Sequence, residues 1–103
     1  MGKKILTADD SKVVRMIVTS TFQPYDCTVV SASEGAEAVE VALREKPDLI
    51  FMDITMPNLT GIEALEKIRQ SPEITNTHVV MLTAESDSQR LGMADKLKVS
   101  GYI

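Results

Sequence analysis

The chain has 103 residues, 44% of them apolar, a size that suits one domain able to bury about two-thirds of its unfolded surface. Its formal net charge is −4 with no basic stripe, which argues against nucleic acid as a direct partner. A single cysteine, Cys27, excludes an internal disulfide; Met1 is followed by no apolar secretory core, and no run approaches the ~20 apolar residues of a membrane span, so we read one soluble domain, 1–103, of a reducing compartment.

Short apolar runs alternate with longer amphipathic ones. Lys3–Ala8 reads as a strand. Asp10 or Ser11 can cap a helix over Lys12–Phe22, with Val13, Val14, Ile17, Val18 and Thr21 at helical spacing, and Pro24 closes it. Cys27–Ser31 is a second strand. Ser33 starts a second helix, with Ala36, Val39 and Leu43 on one face, which Pro47 stops. Asp48–Ile54 is the third strand. Thr60-Gly61-Ile62-Glu63 has the form of a capping box, in which the Thr oxygen accepts the Glu63 amide and the Glu side chain reaches back. The helix it opens turns Ile62, Leu65 and Ile68 inward. His78–Leu82 is a fourth strand, Ser86–Leu97 a weaker helix, and Gly101-Tyr102-Ile103 begins a fifth strand.

Strands and helices in alternation predict an α/β fold, a parallel sheet with helices on both faces. The third and fourth strands are apolar without alternation, as strands buried on both sides are. Five strands fit the shorter doubly wound order, 2-1-3-4-5, of flavodoxin-like folds.

Ligands of such sheets bind beyond the carboxyl ends of the strands at the switch point, here between strands one and three. Strand one ends in Asp9-Asp10, strand three in Asp53 and strand four in Thr83-Ala84. Crowded carboxylates repel unless a cation joins them, and hard oxygen ligands select Mg²⁺ or a similar ion. Such an ion suits phosphoryl transfer, with one carboxylate as nucleophile; Asp53, alone and central on its strand, is the candidate. Asp10 taken alone serves equally as a helix cap, and Asp53 alone as a strand-end turn residue. The joint placement at one rim favours the chemical reading. His78 reads as a surface residue, Cys27 as a small buried hydrophobe, and the six methionines as core filler.

These residues resemble the receiver domain of two-component response regulators. The resemblance covers the whole chain and rests on Asp9-Asp10, the run Met52-Asp53-Ile54-Thr55-Met56-Pro57, Thr60-Gly61, Thr83-Ala84 and Gly101-Tyr102-Ile103. It implies Asp53 as phosphoacceptor, and Mg²⁺ held by Asp9, Asp10, Asp53 and the Thr55 backbone carbonyl. It implies Thr83 bonding a phosphoryl oxygen, and Ala84 leaving the phosphoryl group room. Thr55 and Glu85, with Ala84, would tune the lifetime of the phosphate, and Thr83 with Tyr102 would form the switch. A cytoplasmic location, a sensor histidine kinase partner and a downstream protein target are implied, with no enzymatic role beyond Mg²⁺-dependent self-phosphorylation and autodephosphorylation.

The chain departs from the family at its end: the Lys-Pro pair and fifth helix that would follow Ile103 are not in this sequence, and Lys98-Val99-Ser100 stands where the family usually has Gly-Ala. The expectation is a C-terminally incomplete receiver. Right-handed crossovers place the first helix alone on one face and leave Ile50, Met52, Val80 and Leu82 partly uncovered, to be buried in a homo-oligomer or by an element swapped from a second copy. Without that lysine, Asp53 is expected to bind Mg²⁺ but accept phosphate poorly. The competing readings are a metal-dependent phosphatase, for which Thr55 stands where a second acid is needed; a flavin or nucleotide binder, for which the first turn is too acidic; and a fragment serving only as a structural or oligomerising module.

Overall fold

A computed structural model describes residues 2–54, 56 and 58–82, together with the backbone of Gly101 and Tyr102. The elements run β1 (Lys3–Ala8), α1 (Lys12–Phe22), β2 (Cys27–Ala32), α2 (Gly35–Glu45), β3 (Leu49–Asp53), α3 (Gly61–Arg69), β4 (His78–Leu82) and β5 (Gly101–Tyr102). All strand pairs are parallel, in the order β2-β1-β3-β4-β5. Four strands of five or six residues carry the sheet, and β5 is a two-residue edge. The helix expected over Ser86–Leu97 lies outside the described residues. Among the described residues no helix is long and apolar enough to cross a membrane.

Register assigns each strand residue to a face, because side chains alternate along a strand and registered neighbours point the same way. Leu6, Ala8, Ile50, Met52, Val79 and Met81 share one face and are fully buried. Against them lie Ala38, Val41 and Ala42 of α2 and Ile62, Ala64, Leu65 and Ile68 of α3, in one core. Each fully buried Leu, Ile or Met here contributes about 1.5–3 kcal/mol of transfer free energy. The opposite face carries Ile5, Thr7, Leu49, Phe51, Asp53, Val80 and Leu82, with α1 packed over β1 and β2. Phe22, the last residue of α1, meets Phe51 with ring centroids 5.7 Å apart.

Several expectations need correction. β3 and β4 are not buried on both sides. Their burial alternates, with Leu49, Phe51, Val80 and Leu82 only half-buried; among the described residues α1 packs mainly over β1 and β2 and meets β3 at Phe51 through Phe22. Ile50 and Met52 therefore do not belong to the uncovered surface; they lie under α2 and α3. Next, α1 does not bury the stripe of Val13, Ile17 and Thr21. Val14 and Val18 are half-buried, while Val13, Met16 and Ile17 are 65%, 58% and 59% exposed. Finally, α2 is capped by Glu34 rather than opened by Ser33, and it buries Gly35, Ala38, Val41 and Ala42 while Leu43 points outward. Ser33 takes part differently, since its amide and hydroxyl both donate to the Glu37 carboxylate. Cys27, expected to be buried, is half-buried, and its thiol donates to the Phe22 carbonyl.

Candidate metal centre

The register that pairs Ala8 with Met52 brings the next residue of each strand, Asp9 and Asp53, to the same rim. Asp9, Asp10 and Asp53 each present a carboxylate oxygen there, all within 4.8 Å of one another. A six-coordinate Mg²⁺ shell is about 4.2 Å across its longest oxygen–oxygen span, so the three acids converge on the dimensions of one hard ion.

Local structure explains how each acid is held. The Asp9 amide donates to the Ala32 carbonyl at 3.1 Å, continuing the β1–β2 ladder past its end. Its Oδ1 accepts the Ser11 amide at 2.8 Å, and its carbonyl accepts a hydrogen bond from the Arg15 guanidinium. Ser11, not Asp10, is the N-cap of α1, its hydroxyl accepting the Val14 amide. Asp10 is exposed and is thereby released from capping for the rim. Asp9 is only 5% exposed. Burial raises its carboxyl above the ordinary range; the Ser11 amide pulls it down, the charge and hydrogen bond of Asp10 push it up again, and Arg15 draws it down. A buried acid made costly to ionise, beside two others, is a donor set that a divalent cation would relieve.

Asp53 is the last residue of β3, and the chain turns back at once. The Ile54 amide reaches the Leu82 carbonyl, and the Gly61 amide donates to the Ile54 carbonyl at 2.8 Å. At Gly61 a Cβ would stand 2.0 Å from the Asp53 carbonyl oxygen, so only glycine permits α3 to start this close to the strand end. Thr60 caps α3 through the full capping box with Glu63. On the other side of the loop, Asn58 adopts left-handed φ (69°), and its side-chain amide donates to the Glu34 carboxylate, which also caps α2 at the Glu37 amide. Gly35 abuts this loop too, since a Cβ there would lie 1.9 Å from the Leu59 carbonyl oxygen.

The sequence-derived site is thus brought together in its acidic part. Thr55, Thr83, Ala84 and Glu85 lie outside the described residues, as does the side chain of Tyr102, whose backbone sits in β5 beside Met81. Sequence reasoning missed Arg15, the Glu34–Asn58 link and Thr7. The Thr7 hydroxyl, fully buried on the face that Asp53 shares, has no hydrogen-bond partner among the described residues. A threonine inside the run Ile5-Leu6-Thr7-Ala8, two residues before Asp9, was the available signal.

Residues 5–103 match the family described as the response regulator receiver domain. The chain belongs to this family. As a receiver it is 33% identical over 103 residues to the chemotaxis protein CheY of Halobacterium salinarum, covering 100% of this chain and 84% of that protein. It is 37% identical over 87 residues to the alkaline phosphatase synthesis transcriptional regulatory protein PhoP of Bacillus subtilis, covering 84% of this receiver but 35% of that longer protein. The crystallised chemotaxis protein CheY4 of Vibrio cholerae superposes with a TM-score of 0.90 at 29% identity, over 100% of this receiver and 86% of that chain. Receiver domains are signalling modules that bind Mg²⁺ at an acidic pocket, are phosphorylated by histidine kinases and act on downstream targets.

Proposed function

We propose that this receiver accepts a phosphoryl group on Asp53 from a histidine kinase or a small phosphodonor, with Asp9, Asp10, Asp53 and the Thr55 carbonyl holding Mg²⁺. The observation that carries the reading is the convergence of three carboxylates within 4.8 Å at the carboxyl rim of the sheet. The ion would neutralise charge on the phosphoryl oxygens. Asp53 is suited to be the nucleophile because β3 fixes its backbone and α3 starts at Gly61 directly against its carbonyl. In the transfer, an Asp53 oxygen forms a bond to phosphorus. The donor's P–N or P–O bond breaks, and the leaving group keeps the electron pair.

Thr83 would bond the transferred group, with Ala84 leaving it room; Thr55 and Glu85 would set its lifetime, and Tyr102 would follow Thr83 as the switch. The added charge of about −1.5 to −2 biases the surface of β4 and β5 toward a downstream protein, by no more than that partner's differential affinity. The module acts in the cytoplasm and catalyses nothing beyond its own phosphorylation and dephosphorylation. Labelling with acetyl phosphate and Mg²⁺, followed by intact mass, tests the reading. One added phosphoryl group that disappears in Asp53→Asn and in the presence of chelator is expected; no adduct, or one retained in Asp53→Asn, overturns it.

A second reading, a homo-oligomerising module, is favoured by the exposure of Val13, Met16 and Ile17 on α1 and the half-burial of the strand residues Phe51, Val80 and Leu82. Sedimentation at rising concentration tests it: association weakened by Met16→Asp supports it, and a monomer throughout removes it.

A further inference from the structure

Asp9 and Asp10 are joined by one peptide unit, and that unit is rigid and planar. Its oxygen is the Asp9 carbonyl, which accepts the Arg15 guanidinium. Arg15 itself is fixed one turn into α1, where its amide donates to the Ser11 carbonyl at 3.1 Å. It also lines an open cavity of about 370 Å³ together with Lys12, Met16, Thr19, Ser20 and Ser31. The guanidinium is held at the carbonyl by that hydrogen bond and by the neighbouring Asp9 carboxylate charge.

A cation beside a site for cations is electrostatically adverse. Arg15 draws the Asp9 carboxyl down, yet its positive charge, like the N-terminal end of α1, opposes the approach of a second cation. The arrangement makes sense if the geometric effect exceeds the Coulombic one. We propose that Arg15 is a positioning residue for the metal centre: by holding the Asp9–Asp10 peptide plane, it fixes the mutual orientation of the two carboxylates that follow β1. The inference rests on the reading of the acid cluster as a Mg²⁺ site, and it assigns to Arg15 the role that outer groups play around metal ligands generally.

The two effects predict opposite signs, which makes the test decisive. Calorimetric titration of the full chain with Mg²⁺ and with Mn²⁺, at fixed pH and ionic strength, compares wild type with Arg15→Gln and Arg15→Lys. Positioning predicts about tenfold weaker binding in Arg15→Gln despite the lost positive charge. It also predicts weakening in Arg15→Lys, where the charge stays but the planar fork is gone. Binding by Arg15→Gln that equals or exceeds wild type overturns the inference and leaves the Mg²⁺ site standing. A wild type that takes up neither ion overturns the Mg²⁺ site, and the inference with it.

A metal-free measurement guards against a variant that merely unfolds. The Ser11 amide, bonded to Asp9 Oδ1, should exchange with solvent about tenfold faster in Arg15→Gln while amides of β3 and β4 keep their protection. Unchanged Ser11 exchange overturns the positioning role.

Discussion

The first residue of α3 and the last of β3 are in backbone contact: the Gly61 Cα lies so close to the Asp53 carbonyl that an added Cβ would stand 2.0 Å from its oxygen. Gly61→Ala therefore has to push the helix start off the strand end. We expect a loss of about 1–3 kcal/mol of stability in urea unfolding and weaker Mg²⁺ binding, because the displaced carbonyl belongs to an acid of the cluster. Wild-type values of both would show that the helix start has room to move.

Thr7 offers a stabilising substitution. Its hydroxyl is fully buried without a partner among the described residues, and such a group costs about 1–3 kcal/mol. Thr7→Val keeps the shape and removes the hydroxyl, so the unfolding midpoint should rise by an amount equivalent to about 1 kcal/mol. A fall in stability would mean that the hydroxyl is satisfied in solution.

Asp9 sets one pH dependence. Burial holds its folded carboxyl above the ordinary value of 3.8, so the folded protein keeps a proton that the unfolded chain has already released. Stability then declines as pH rises from that ordinary value through the raised one, and the deficit persists at neutral pH. Asp9→Asn should flatten this part of the profile, stabilise the metal-free protein at neutral pH and weaken Mg²⁺ binding. Urea midpoints measured across the acid range check the sign, and an unchanged slope in Asp9→Asn would assign it to another group.

Glu63 acts in the opposite sense. Its carboxylate accepts the Thr60 amide, which holds it below the ordinary value of 4.5. The capping box is thus fully formed above that value and is lost as the pH falls through the lowered one. Thr60→Ala should cost about 1 kcal/mol at neutral pH. Glu63→Gln should remove the acid-dependent part alone, as thermal unfolding at neutral and acid pH would show.

Much of this was legible in the sequence where one residue type has one mechanism. The capping box at Thr60 and Glu63, the end of the first strand at Ala8 and the inward stripe of Ile62, Leu65 and Ile68 each follow from spacing alone, and the third strand, read as Asp48–Ile54, is one residue shorter at each end. The helix α1 was harder, because the doublets Val13-Val14 and Ile17-Val18 offer two adjacent apolar stripes and only the packing of α1 on β1 and β2 chooses between them. The same holds for β3 and β4, where every residue before Asp53 and up to Leu82, apart from His78, is apolar and parity carries no mark of which face is covered. Arg15 left no signal, since a basic residue on an amphipathic helix ordinarily faces water. Its contact with the Asp9 carbonyl depends on how α1 leaves the strand.

Gly35 and Leu59 impose a mechanical constraint on any signal that starts at the rim. With a Cβ at position 35 placed 1.9 Å from the Leu59 oxygen, and Asn58 tethered to Glu34, Asn58 and Leu59 bear directly on the start of α2. A disturbance at the acid cluster is therefore geared to two helices at once, α3 through Gly61 and α2 through Gly35, and their shared outer surface is where its displacement would be felt.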